Sequence, residues 1–306
     1  MKEVPERKEE VGCKMALLHV LLVCCLLALH SSVNCQQKLA DDFLQAYDRD
    51  IRSVDYTSGQ AAWVYNTNLT DYNSRLSVAA SLVYSKYSAE VRINASKINT
   101  TGLSYTADRQ IKFILSSASS KNQSVVANVA NLGSKLEALY SKGCVTATSS
   151  DVPTLNLTGT KCLSLDPGLT TILAKSRDPK ELLFAWKGWR DATGPLMKPV
   201  YADFVQNLNI GAKENQWQDY GQYVRSRYEV GNNLGPIAEK LWQDLKPFYE
   251  ELHAYVRFKL SKTYPGEVKD KEAIPAHLLG NMWAQDWTNI YDLVVPFPSK
   301  FSKFIH

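Results

Sequence analysis

The sequence predicts a mainly α-helical protein, and three observations carry that reading. Apolar residues recur at three- and four-residue intervals through most of the chain, the spacing that gathers side chains on one face of a helix. No succession of alternating apolar and polar strands is present, and no internal repeat. In the second half, Asp-Pro and Gly-Pro pairs punctuate the periodic segments where helices should start and stop.

The first half, from Lys38 to Lys142, is polar and rich in Ser and Ala. Tyr47, Ile51, Leu76, Val83, Val91, Ile111, Leu115, Leu136 and Leu139 fall at helical intervals within their segments. They read as surface helices, each with one buried stripe. Gly143 to Cys162 reads as a loop of Thr, Ser, Gly and Pro. Beyond it, Asp166-Pro167 and Asp178-Pro179 each set a good N-cap before a proline suited to the first helical position. Glu181, three residues after Asp178, completes a capping-box pattern. That helix is expected to run through Leu182, Leu183, Trp186 and Trp189 and to end at Gly194-Pro195. A longer helix is expected from about Pro236, with Ile237, Leu241, Leu245, Phe248, Leu252, Tyr255 and Val256 on its apolar face and a kink at Pro247. A last helix is expected between Pro275 and Pro296. Its polar stripe would be His277, Asn281, Gln285, Asn289 and Asp292, with Trp283 and Trp287 on the opposite, apolar side.

At 306 residues the chain is long enough for a sizeable core, and 45% hydrophobic against 22% charged residues excludes a disordered protein. The net charge is +4, and its basic residues are dispersed with no stripe or run, which argues against nucleic-acid binding.

Ala16 to Leu29 is an apolar run preceded by Arg7, Lys8 and Lys14 and followed by Val33-Asn34-Cys35. This is the pattern of a signal peptide, 1–35, cleaved after about Cys35; a single membrane anchor is the alternative, for which the run is short. No later stretch is apolar for long enough to span a membrane. Cys144 and Cys162 then remain as an even pair, most simply a disulfide in an oxidising compartment. Five Asn-x-Ser/Thr sequons begin at Asn68, Asn94, Asn99, Asn122 and Asn156, which with a signal peptide suggest a glycosylated surface.

Catalytic chemistry is less visible. After residue 35 there are three histidines, His253, His277 and His306, and none lies four residues from another, so no helical turn presents two imidazoles to one metal. His-Glu-x-x-His, Gly-x-Ser-x-Gly and a phosphate-cradling glycine loop are all missing from this sequence.

Several segments resemble the peptidyl-dipeptidases of the angiotensin-converting enzyme family. The most specific runs from Ile274 to Pro298 and contains Leu278-Leu-Gly-Asn-Met-Trp-Ala-Gln-Asp-Trp287 and Val295-Pro-Phe-Pro298. Leu252-His-Ala-Tyr-Val-Arg257, Leu183-Phe-Ala-Trp-Lys-Gly-Trp-Arg190 and Leu163-Ser-Leu-Asp-Pro-Gly-Leu169 add to it, and weaker similarity reaches back to Ala62. The resemblance implies the N-terminal part of a large all-helical peptidase domain. In that family a deep groove lies beneath a lid of N-terminal helices, and a zinc-bound water removes dipeptides from the C-terminus of peptide substrates. It implies zinc and chloride as cofactors of the complete domain, and places the zinc ligands, His-Glu-x-x-His and a later glutamate, downstream of Pro298.

Residue by residue, Gln285 matches the glutamine that helps bind the substrate's C-terminal carboxylate. Arg190 matches an arginine of the family's first chloride site and Tyr228 a tyrosine of its second, with Val224 where the family has a tryptophan. Ser299 to His306 departs from the family pattern. The resulting organisation is a signal peptide at 1–35, part of the peptidase domain at 36–298 and a divergent tail at 299–306. No metal site is expected in this chain alone. The competing reading is a secreted glycoprotein that binds peptides or partners and catalyses nothing.

Overall fold

The computed structural model describes residues 6–297, with side chains from residue 34 onward. The expected signal peptide therefore lies mostly outside the described side chains, and the divergent tail 299–306 lies outside the described residues. The chain is mainly α, as its periodicity predicts: nine α-helices and one two-stranded sheet are found among the described residues. It divides into two compact units, residues 1–130 with 214–216, and residues 131–213 with 217–306.

The first unit is built on an α-helical hairpin, α1 (Glu6–Thr67) and α2 (Asp71–Ala95), followed by α3 (Tyr105–Leu115) and the beginning of α4 (Gln123–Ser141). The turn between α1 and α2 is set by local chemistry. Thr70 caps α2 by accepting from the Asn73 backbone N–H at 3.1 Å, and the buried Asn73 side chain donates back to the Asn68 carbonyl at 2.8 Å. Ser104 caps α3 in the same way, and its own backbone N–H donates to Gln37 of α1 at 2.7 Å. Where α1 and α3 meet, Ala40, Ala107 and Ile111 form a small core. The stripe read from the sequence is only partly interior: Ile111 and Ile51 are buried, while Leu76, Val83 and Leu115 are exposed. Two residues that follow the last turn of the long helix α6, with its terminal Glu214, complete this unit. Glu214 accepts from the Ser120 hydroxyl and the Lys121 backbone N–H, and Asn215 donates to the Ser119 carbonyl.

The second unit holds the main core. Val145, Leu163, Ile172, Leu173, Leu182, Trp189, Leu260, Leu278 and Met282 are among its buried members. The loop expected at 143–162 contains a feature its composition hid. Strands β1 (Cys144–Ala147) and β2 (Lys161–Ser164) pair antiparallel, with Cys144 opposite Ser164 and Thr146 opposite Cys162. A disulfide joins Cys144 to Cys162. The ribbon alternates: Val145, Ala147 and Leu163 point into the core while Thr146, Cys162 and Ser164 face outward. It lies against α6, where Gly188 leaves room for the Val145 side chain.

Helix starts and stops differ from the sequence reading in three places. First, Asp166 is not a helix N-cap. Its backbone is extended, as an N-cap's would be, but its carboxylate accepts from the Thr170 hydroxyl and not from a backbone N–H, and α5 begins only at Thr170 and ends at Lys175. Second, Glu181 does not close a capping box. It is buried and accepts from the Thr154 backbone N–H, the Thr154 hydroxyl and the Ser176 hydroxyl, tying the 153–155 turn to the start of α6; Asp178 alone caps, accepting from the Lys180 N–H.

Third, Pro195 does not end the helix. α6 runs from Pro179 to Glu214 through both Pro195 and Pro199. Asp191 and Pro195, whose carbonyls lose their i+4 donors to Pro195 and Pro199, are both exposed, so those carbonyls can be hydrated. Gly194 also lacks the Cβ that clashes with a following proline ring.

α7 (Tyr220–Ser226), capped by Asp219, and α8 (Leu234–Thr263) follow. α8 matches the expected long helix and continues through Pro247. Only its C-terminal third enters the core, through Val256 and Leu260. Among the described residues, no helix is long and apolar enough to cross a membrane.

Candidate functional site

The helix expected between Pro275 and Pro296 does not form. The segment is a series of turns: one 3-10 turn at Ala276–Leu278, another at Thr288–Ile290, and a single α turn, α9 (Tyr291–Val294). The cause is side-chain competition for backbone donors. Gly280 and Ala284 adopt left-handed backbone angles (φ 88° and 55°), which no helix accommodates. The Asn281 carboxamide accepts from the N–H groups of Trp283 and Gln285, and Asp286 accepts from both the N–H and the hydroxyl of Thr288. Asn289 donates back to the Gly280 carbonyl at 2.9 Å, closing the loop on itself. The apolar and polar positions were read as two faces of a helix; their alternation belongs instead to a coil whose Leu278, Leu279, Met282 and Ile290 turn inward.

Two arginines fasten this coil to the helical scaffold. Arg177, just before α6, donates to the Asn289 carbonyl and to Asp292, both at 3.0 Å. Arg190, three turns into α6, donates to the Met282 carbonyl at 2.7 Å, to the Met282 sulfur at 3.0 Å and to the Trp186 carbonyl at 3.1 Å. Its guanidinium also lies 3.8 Å from the centre of the Trp186 ring. These acceptors are neutral. None of the ion pairs found among the described residues gives Arg190 a carboxylate, and burial pushes its pKa below the ordinary arginine value, opposed by the neighbouring Tyr140 phenol. A half-buried guanidinium without an anionic partner costs free energy that an anion would recover. The Trp186 indole N–H beside it is buried and unpaired as well.

Gln285 sits three residues past Met282, on the outward side of the same coil. Its backbone N–H is held by Asn281 while its side chain is exposed. The structure therefore brings Gln285 and Arg190 to one region, with Met282 between them. Trp283 is exposed and Trp287 half-buried, so the two rings do not form the buried face expected of them. Trp287 instead donates its ring N–H to the Ala284 carbonyl, which supports the left-handed turn next to Gln285. Tyr228 lies elsewhere, on the exposed turn after α7, its backbone N–H bonded to the Arg225 carbonyl. His277 is not on a solvated stripe. It is buried, its Nε2 has no partner, and burial lowers its pKa against an opposing effect of Glu267.

No group of three or more His, Cys, Asp or Glu that could hold a metal ion occurs among the described residues. The donors among the described residues do not fit a catalytic zinc, which needs three protein ligands and an open position.

The structure thus defines a mainly α-helical scaffold to which Arg177 and Arg190 pin an irregular coil. The angiotensin-converting enzyme family profile matches residues 34–304, and the chain belongs to that family of zinc peptidases. It is 41% identical over 265 residues to the angiotensin-converting enzyme of Theromyzon tessulatum, covering 85% of this chain and 42% of that protein. It is 37% identical over 261 residues to that of Mus musculus and 36% over 268 to that of Mesocricetus auratus, each covering 19% of the relative. The chain thus spans less than half the length of the curated relatives it matches.

Proposed function

We propose that residues 36–298 form one wall of the substrate groove of a secreted zinc peptidyl-dipeptidase, with the zinc-binding residues supplied by family sequence that this chain does not contain. The observation that carries the reading is Arg190, a guanidinium held by neutral acceptors against the coil that presents Gln285. On this reading Arg190 contributes to a chloride site, and the bound anion and the cation together fix the Met282 turn. Gln285 donates its carboxamide N–H to the C-terminal carboxylate of the peptide without adding charge of its own. Tyr228 contributes to a second chloride site. Zinc would supply the attacking water and polarise the peptide carbonyl when bound to the complete domain.

Residues 1–35 act as the signal peptide that directs the chain to the secretory pathway, where the Cys144–Cys162 disulfide is stable. The acceptor side chains of Asn68, Asn94, Asn99, Asn122 and Asn156 are all exposed and so available to carry glycans.

The test compares this chain with a chimera in which the sequence after Pro296 is replaced by the portion of the Theromyzon relative that follows the match. The chain alone should hold no stoichiometric zinc and release no dipeptide. The chimera should bind zinc and release C-terminal dipeptides with a rate that rises with chloride. Arg190→Gln should flatten the chloride response, and Gln285→Ala should raise KM about tenfold with little change in kcat, the mark of lost carboxylate binding. A zinc-loaded chimera whose KM is untouched by Gln285→Ala would refute the assignment of that residue.

A further inference from the structure

The sequence pattern and the first unit agree on where the mature chain begins. Val33-Asn34-Cys35 sets compact side chains one and three residues before the Cys35–Gln36 bond, the positions a signal peptidase reads. The structure limits how far downstream the cut can fall. The Gln37 carboxamide accepts from the Ser104 backbone N–H at 2.7 Å and donates to Asp41 at 2.8 Å, so it ties α1 to the start of α3. Further along α1, Ala40 is fully buried and packs with Ala107 and Ile111 of α3. A cut beyond Gln37 would remove the tie, and one beyond Ala40 would open the small core as well.

Gln36 is the residue that a cut after Cys35 exposes. A glutamine at a chain terminus holds its α-amine within reach of its own γ-carboxamide, and attack closes an unstrained lactam ring. A bond forms from the unprotonated amine nitrogen to Cδ, the Cδ–Nε2 bond breaks, and Nε2 leaves as ammonia with the proton that the amine gives up. Nothing is oxidised or reduced, and no co-reactant is consumed. An α-amine has an ordinary pKa of about 8, so an unprotonated fraction is present at neutral pH.

Two features of this chain favour the ring. No hydrogen bond holds the Gln36 side chain among the described residues, in contrast to that of Gln37, so its carboxamide can fold back on the amine. The new terminus also lies at the positive end of the α1 dipole, where an ammonium is repelled and a neutral amide is not. Cyclisation at Gln37 instead would expel its Nε2 and with it the bond to Asp41.

We infer that the secreted chain begins with pyroglutamate at position 36, formed by cyclisation of Gln36 after signal cleavage. The lactam has no basic amine, so aminopeptidases that grip a terminal ammonium cannot trim α1 toward Gln37 and loosen α3. The inference rests on the reading of residues 1–35 as a signal peptide, and the experiment separates the two.

The full chain, with residues 1–35, is expressed in a secreting animal-cell line and recovered from medium and cells. Free amines are methylated on the intact protein before digestion, so that only cyclisation earlier than handling counts, and the N-terminal peptide is read by mass spectrometry. The expected peptide starts at residue 36, is lighter than its glutamine form by one ammonia and carries no methyl label at its terminus. Gln36→Asn should be cut at the same bond and be labelled, because its shorter carboxamide would have to close a strained ring. A purified aminopeptidase should then remove residues from Gln36→Asn and none from the unaltered protein. A methyl-labelled Gln36 overturns the inference and leaves the signal peptide standing. A chain that starts elsewhere, or one that keeps residues 1–35, overturns both.

Discussion

Gly188→Ala should destabilise the second unit, even though alanine is the better helix former. Gly188 lies inside α6, where replacing glycine by alanine ordinarily gains about 1 kcal/mol. Here the added Cβ would sit 2.8 Å from Val145 Cγ1 and 3.2 Å from Cγ2, across the contact between α6 and β1. Val145 is buried and branched, and the disulfide at Cys144 holds its strand, so the methyl groups have little freedom to retreat. Overpacking of this kind costs about 1–3 kcal/mol, so the net effect ranges from near zero to a loss of about 2 kcal/mol. Gly133→Ala in α4 is the control: its nearest neighbour would be Phe204 at 3.7 Å, an ordinary contact, and it should stabilise by up to about 1 kcal/mol. Val145→Ala should be destabilising alone but should partly rescue Gly188→Ala, giving a coupling energy of at least about 0.5 kcal/mol. Urea unfolding of the four proteins and the double variant measures all of this. If Gly188→Ala is as stabilising as Gly133→Ala, or the double variant is simply additive, the close approach of β1 to α6 is wrong.

Replacing Cys144 and Cys162 together by serine should lower stability by about 3 kcal/mol, the chain-entropy value for a loop with a sequence separation of 18, and thiol titration of the unreduced secreted protein should find neither cysteine free. His277 should make the second unit acid-sensitive. Its folded pKa lies below 6.5, so the stability it confers as a neutral side chain is complete above pH about 6.5 and is lost as pH falls from there through the folded value. His277→Asn should flatten that part of the stability–pH curve, and an unchanged slope below pH about 6.5 would show that the imidazole is not buried.

What could be read in the sequence follows a physical division. The existence of α6 and α8 was legible because long helices repeat their apolar spacing often enough to be counted. The end of α6 was misread because proline's effect depends on whether its orphaned carbonyl meets water, and exposure is a tertiary property. The pairing of β1 with β2 escaped notice because the four-residue strands offer only two inward positions in β1, Val145 and Ala147, and one in β2, Leu163, too few to distinguish alternation from a loop. The coil at 275–295 was read as a helix because its inward residues happen to recur at three- and four-residue steps. The contrary signals were present in Gly280-Asn281 and in Asp286 placed two residues before Thr288, each able to satisfy backbone donors without a helix.

The site shows the same division more sharply. Gln285 was singled out by its place in a specific segment, and the structure alters the reason it could serve. A glutamine on a regular helix would present its carboxamide at the angle common to its whole face. On this coil its direction is set instead by Asn281 and by the Ala284 turn that Trp287 braces. The Met282 turn is in turn anchored to α6 by Arg190. Arg190, Met282 and Gln285 are thus linked through backbone, and loss of the guanidinium should disturb the carboxamide without any direct contact between them. Periodicity supplied the residues of α8 that share a face and was silent on what covers them. The sequence spacing names the side chains that act together, while the direction of Gln285 comes from the turns at Asn281 and Ala284 and from the anchoring of Met282 by Arg190, 92 residues away.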